Sequence, residues 1–255
     1  MHARQIPNSR LHALHPTRFT LALGVMSALL VAACAVDAPS GPRSLTPSKR
    51  LEASSATTLG SAASFGVLGA STVTCTGAGS IDGDVGVSPG SSITGFNPDC
   101  TLTGTLHAAD DASASAQADA ATAYGMLSAT PCETTFGEVQ ELSGLTLETG
   151  VYCFLSSAQV SEGILTLNGP GPFIFEVSSE FITFTGSSVV LTGGATCDNI
   201  YWLVGSSATL GGPVEGNILA YTSIGMDPGA SLNGRALALN AAVTMSGQNT
   251  VSACL

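Results

Sequence analysis

A short internal repeat limits what the C-terminal part of this chain can fold into. VEGNILAYTSIG, starting at Val214, aligns with LNGRALALNAAV, starting at Leu232, so Gly216, Ile218, Leu219 and Ala220 fall on Gly234, Ala236, Leu237 and Ala238. Stepping back by the same interval from Ile218 reaches Ile200 in NIYWLVGSSAT, which suggests a third copy. A period of about eighteen residues, made of short alternating strands punctuated by Gly, Asn and Ser, is that of stacked coils in a β-solenoid. Three segments occupy related places: SATLG from Ser207, SIGMD from Ser223 and AVTMS from Ala242. Alternate side chains of a strand face opposite ways. Ala208, Leu210, Ile224, Met226, Val243 and Met245 are therefore expected to point inward, with Ser207, Thr209, Ser223, Gly225, Ala242 and Thr244 outward. A one-residue slip of register would invert that assignment.

The N-terminus reads as an export signal. Arg4, Arg10 and Arg18 precede an apolar run from Phe19 to Val31, with small residues just before Cys34. That run is short for a membrane span and has the layout of a signal peptide, expected over residues 1–33. LVAAC, Leu30–Cys34, also resembles a bacterial lipobox, in which Cys34 becomes the lipidated first residue; an ordinary signal peptide cut nearby is the alternative. Residues 34–58 are rich in Ala, Ser, Pro and Thr, which suits a flexible tether, and residues 59–255 form the expected folded domain.

Charge excludes one large class of partner. Six of the seven basic residues lie before residue 51, so the expected domain keeps only Arg235. Setting aside Asp37 and Glu52, eighteen carboxylates fall to sixteen. No nucleic acid is expected as a partner, because cations to neutralise phosphates are missing. With Cys34 set aside, six cysteines remain, an even set that in an exported protein points to disulfides and allows fifteen pairings. Their order favours Cys75 with Cys100 across one early loop, Cys132 with Cys153 closing a cap, and Cys197 with Cys254 pinning the C-terminus. The close Cys or His pairs of a zinc site are missing, and neither metal nor cofactor is expected. Asp82 and Asp84, in a glycine-rich turn, read as turn formers before calcium ligands.

Along the domain, LGSAASFGVLGASTVTCTG alternates as short strands do, with Thr72 and Thr74 opposite Val73. IDGDVGVSPGSSITGF reads as turn, strand, turn. One helix is expected from Leu106 to Leu127, Ala-rich, capped by Thr105 and stopped by Pro131. At 1.5 Å per residue it would measure roughly 32 Å, the height of six or seven coils, and would lie along one β face with Tyr124 and Leu127 as anchors. A free membrane-surface helix is less consistent, because its polar side has no Lys or Arg. Beyond it, Val151, Phe154, Leu165, Leu167, Phe173, Phe175 and Phe184 are expected to fill the core, with Trp202 also inside. From Phe136 to Cys254 there is room for six or seven coils of roughly eighteen residues.

Taken in order, LGSAASFGVLGASTVT, GDVGVSPGSSITGF, HAADDASASAQADAATAY, LTLETGVYCF, FIFEV, VGSSATLG, VEGNILA and NGRALALNAAVT resemble the ice-binding-like domain family, DUF3494, over about Leu59 to Val251. The resemblance implies a mainly β fold, a discontinuous right-handed β-solenoid of triangular cross-section with one long α-helix packed alongside. It also implies binding to an ice crystal surface through one flat β face. Small hydroxyl and methyl groups on a rigid grid can hold ordered water, since bridging water substitutes for direct bonds. The face expected here comprises Thr72, Thr74, Thr166, Ser207, Thr209, Ser223, Gly225, Ala242 and Thr244, without charge. A monomer is expected, with membrane attachment only through Cys34. An enzyme is not: Glu176 with Glu180 is a pair any acidic domain offers, and His107 has no nucleophile motif nearby. The remaining alternative is a surface adhesin or structural module using the same solenoid.

Overall fold

The computed structural model describes residues 58–254. The expected signal peptide, Cys34 and all of the expected tether except Thr58 lie outside the described residues. What is described is a solenoid of three sheets whose strand pairs are all parallel, with one helix alongside. The ten-stranded first sheet includes Phe65–Gly69, Asp84–Val87, Leu106–Ala108, Thr146–Phe154, Gly163–Val177, Ile200–Val204, Asn217–Ala220 and Ala236–Ala238. The second sheet has eight strands and the third five.

The stacking order departs from the chain order. From Thr134 onward the coils climb in sequence to Ala236–Ala238, where Leu237 pairs not with a later strand but with Leu68 of the first coil. Asp84–Val87 and then Leu106–Ala108 continue outward from there. The solenoid is therefore discontinuous, and the helix links the segment that ends at Ala108 to the one that begins at Thr134.

That helix, α1, spans Asp111–Leu127 and starts later than the sequence suggested. Leu106, His107 and Ala108 pair as a strand with Val85, Gly86 and Val87. Asp110, not Thr105, is the cap: its side chain accepts from Ser113 N, and Ser113 Oγ accepts from Asp110 N. Seventeen residues give about 26 Å, shorter than the expected 32 Å. Ala116, Ala120 and Ala123 are fully buried, so the backbone of α1 lies close against the first sheet. They meet Val151, Ile174, Tyr201, Leu203, Leu219 and Leu237. This explains why IYWLV and NILA are apolar without alternation: one set of side chains enters the solenoid and the other lies under the helix.

Inside the coils, Trp202 lies between Phe175 and Phe181, with ring centroids 4.0 and 4.1 Å away, and its Nε1 donates to Glu215 O. Phe184, expected in the core, is instead 45% exposed, because it lies just past the strand Phe181–Thr183, whose inward residues are Phe181 and Thr183. Val151 is buried beneath α1 rather than inside the coils. The repeat holds between Ile218 and Ala236, which are register partners. Ile218 pairs on its other side with Trp202, not Ile200, so the preceding coil is two residues shorter. At Gly216 and Gly234, φ is 106° and 153°, and a Cβ on Gly234 would lie 1.9 Å from Gly216 O. Only glycine stacks on glycine there.

The cysteines pair as Cys75–Cys100, Cys132–Cys153 and Cys197–Cys254. Arg235 is buried; its Nε donates to Ala63 O at 2.8 Å, and its Nη1 donates to Asn217 Oδ1 at 2.9 Å and lies 3.6 Å from Asp198 Oδ1. It joins the N-terminal segment to the repeat.

Candidate functional site

The second sheet is built from eight short strands stacked in register: Gln140–Glu141, Ala158–Val160, Phe181–Thr183, Ala208–Leu210, Ile224–Met226, Val243–Met245, Thr72–Cys75 and Ser92–Thr94. Each central strand buries its first and third residues, among them Ala208 and Leu210, Ile224 and Met226, and Val243 and Met245. The middle residues align on the outside as one column: Glu141, Gln159, Ile182, Thr209, Gly225, Thr244, Thr74 and Thr94. Two residues upstream lies a second line. Ser207 O accepts from Phe181 N, Ser223 O from Ala208 N and Ala242 O from Ile224 N, while Thr72 pairs with Ser92.

Hydroxyls of adjacent coils touch along both lines. Ser207 Oγ and Ser223 Oγ are 2.9 Å apart, and Thr94 Oγ1 donates to Thr74 Oγ1 at 3.3 Å. Such contacts limit side-chain rotation, so the grid stays regular: about 4.8 Å between strands and about 6.7 Å between alternate residues of one strand. Carboxylates occupy its margins. Glu141 ends the central column, and Glu180 precedes Phe181–Thr183. Burial would raise the pKa of Glu141, but hydrogen bonds from Ser143 and Ser161 outweigh that and bring it down to about 2.

Eight of the nine residues expected on one face lie on or beside this sheet. Thr166 does not: it is in Gly163–Val177, pairing with Thr146 and Val190. Alternation distinguished outside from inside, but a three-sided coil has three outsides. The second-sheet strand of that coil is Phe181–Thr183, whose outward residue is Ile182. Ser92 and Thr94 were missed because their segment is dense in turn residues. The signal was present, since SSIT, Ser91–Thr94, echoes STVT, Ser71–Thr74.

The other chemical candidates have structural partners. His107 Nδ1 is 2.7 Å from Asp110 Oδ2, and its ring tilts against Phe65. Glu176 lies in the first sheet while Glu180 enters the second. Asp84, expected to form a turn, instead opens the strand Asp84–Val87, and its Oδ1 accepts from Thr105 N of the adjacent coil, a bond between coils. Among the described residues one group of metal-ligand type comes together, Cys132, Cys153 and Glu176, and its two sulfurs are bonded to each other.

Fold and site together define a discontinuous β-solenoid that presents a rigid, hydroxyl-bearing sheet to solvent. The family model described as Ice-binding-like matches residues 67–252, and the chain belongs to that family. It is 47% identical over 211 residues to an ice-binding protein of Nostoc sp. (strain HG1), covering 80% of this chain and 77% of that one. Among solved structures it is similar to an ice binding protein from an Antarctic biological consortium, 44% identical with a TM-score of 0.73, over 77% of this chain and 90% of that one. It is also similar to the ice-binding protein of the Antarctic ascomycete Antarctomyces psychrotrophicus, 39% identical with a TM-score of 0.73, over 77% and 98% of the two chains.

Proposed function

We propose that this protein adsorbs to ice through the outer face of the second sheet and thereby restrains ice growth and recrystallisation. The observation that carries the reading is the register-locked column Thr209, Gly225, Thr244, Thr74, Thr94 beside Ser207, Ser223, Ala242, Thr72 and Ser92. Liquid water competes for every polar group on such a surface. A binder gains only where its own hydration layer already has the order of the solid, so that the layer joins the crystal with little further ordering. Threonine and serine on a fixed grid supply hydrogen bonds at repeated positions, and their methyl and methylene groups exclude disordered water between them. Carboxylates hold strong hydration of their own, and Glu141 and Glu180 therefore bound the footprint on one side. The relatives supporting this reading are ice-binding proteins, not enzymes.

The protein acts as a monomer without cofactor in this reading. Its leader directs export, and lipidation of Cys34 would hold it at the cell surface, where bound ice would be retained. Among the described residues no helix is long and apolar enough to cross a membrane, so Cys34 is the attachment proposed.

Recrystallisation inhibition and ice-crystal shaping test the function. The parent is expected to inhibit, and Thr209→Tyr and Thr244→Tyr to lose activity at least about tenfold with unchanged melting temperature, since a bulky ring displaces ordered water from the grid; a tenfold loss corresponds to about 1.4 kcal/mol. A folded parent without effect on ice would overturn the reading and favour the adhesin.

A further inference from the structure

Gly225 interrupts the threonine column between Thr209 and Thr244, and nothing in the backbone asks for a glycine there. Its φ lies outside the left-handed range, unlike that of Gly216 or Gly234, and a Cβ placed on it would meet no atom within 4 Å. It sits in Ile224–Met226, paired on both sides, in register with Thr209 and Thr244. A β-branched residue is favoured at such a position, and glycine inside a strand weakens it. Such a glycine marks a bulge, a tight bend or the close approach of a ligand or another backbone, and the unbroken register on both sides of Gly225 leaves close approach. Among the described residues no other segment approaches, and what comes close arrives from outside.

We infer that Gly225 is a specificity-determining position: it leaves a notch one side chain deep in which a pair of ordered waters is seated between Thr209 and Thr244 and becomes part of the bound ice. The inference rests on the second sheet being the ice-binding face. Neighbouring strands are about 4.8 Å apart, so Thr209 and Thr244 stand about 9.6 Å from each other across the notch. That gap is too wide for their hydroxyls to touch or for one water to bridge, at about 2.8 Å per hydrogen bond, and two waters in line join Thr209 to the rest of the column. Ser223, two residues back on the same strand, has its hydroxyl engaged with Ser207 and so closes one end of the notch with a fixed group. A threonine at 225 would continue the column but would occupy the place of these waters, changing which arrangement of lattice waters the face matches.

The test compares the full chain with Gly225→Thr, Gly225→Ala and Thr244→Tyr, reading recrystallisation inhibition and the crystal planes decorated by fluorescently labelled protein, with circular dichroism as the folding control. Gly225→Thr is expected to fold with an equal or higher melting temperature, and to lose roughly tenfold in inhibition or move to different planes, as displacement of a well-ordered water that the new group does not replace requires. Gly225→Ala, which is certain of space in the notch, is expected to fall between. If both variants keep the parent's planes and potency, or exceed it, the notch is overturned while the face stands. If Thr244→Tyr also behaves as the parent, the face assignment itself fails and takes the notch with it.

Discussion

Trp202 shows how much of this solenoid hangs on single side chains. It is fully buried, stacked between Phe175 and Phe181, and its one polar atom is satisfied by Glu215 O. Trp202→Ala would open a cavity among rigid coils and leave that carbonyl without its donor. The expected loss is about 3–5 kcal/mol, measured by urea denaturation. An unchanged midpoint would mean the coils close over the gap, which their fixed spacing opposes. Trp202 was legible as a core residue because Ile200 and Val204, two positions away on either side, share its face. The faces of Thr166 and Ile182 were not, since period-two patterning assigns a side chain to inside or outside and says nothing about which of three outer faces it reaches. Phe184 misled for a related reason: it is apolar and close to a strand, but the chain has already left the inward register at Thr183.

Among the elements, α1 and the strand Gln140–Glu141 carry the main lessons. The helix was legible from its alanines, and its start was not, because a run with good helix propensity was claimed first by pairing of Leu106–Ala108 with Asp84–Val87. The capping box at Asp110 and Ser113 then fixes the boundary. Gln140–Glu141 closes the second sheet with a carboxylate whose folded pKa, about 2, lies below its ordinary value of 4.5. A depressed pKa stabilises the fold fully above the unfolded value, and that contribution disappears as pH falls from about 4.5 toward 2. Asp110, lowered to about 2 by the Ser113 backbone hydrogen bond and by His107, acts in the same direction. Melting temperature is therefore expected to hold from neutral pH to about 5 and to drop below it. Glu141→Gln should melt lower at pH 7 and show a shallower drop in acid. A variant with the parent's full acid sensitivity would show that Glu141 is not one of the groups responsible.

At the scale of the molecule, the architecture follows from one requirement, that no coil buries its own apolar residues alone. The N-terminal strands meet this by stacking on the last C-terminal coil, as Leu68 on Leu237 and Val73 on Val243. That junction brings Thr72, Thr74, Ser92 and Thr94 into line with Thr244 and lengthens the hydroxyl face beyond what either segment offers alone. The eighteen-residue repeat made the solenoid readable, but this junction was not, since residues far apart in the chain show no shared period. The third sheet provides an internal comparison, because it too displays hydroxyls, with Thr250 outward and in register with Ser231. The most direct measurement is partition of labelled protein into a slowly growing ice hemisphere, comparing the parent with Thr244→Tyr and Thr250→Tyr. Assignment of the binding face to the second sheet requires that the parent and Thr250→Tyr enter the ice while Thr244→Tyr stays in the liquid. Uptake of Thr244→Tyr with exclusion of Thr250→Tyr would contradict it and move the binding face to the third sheet.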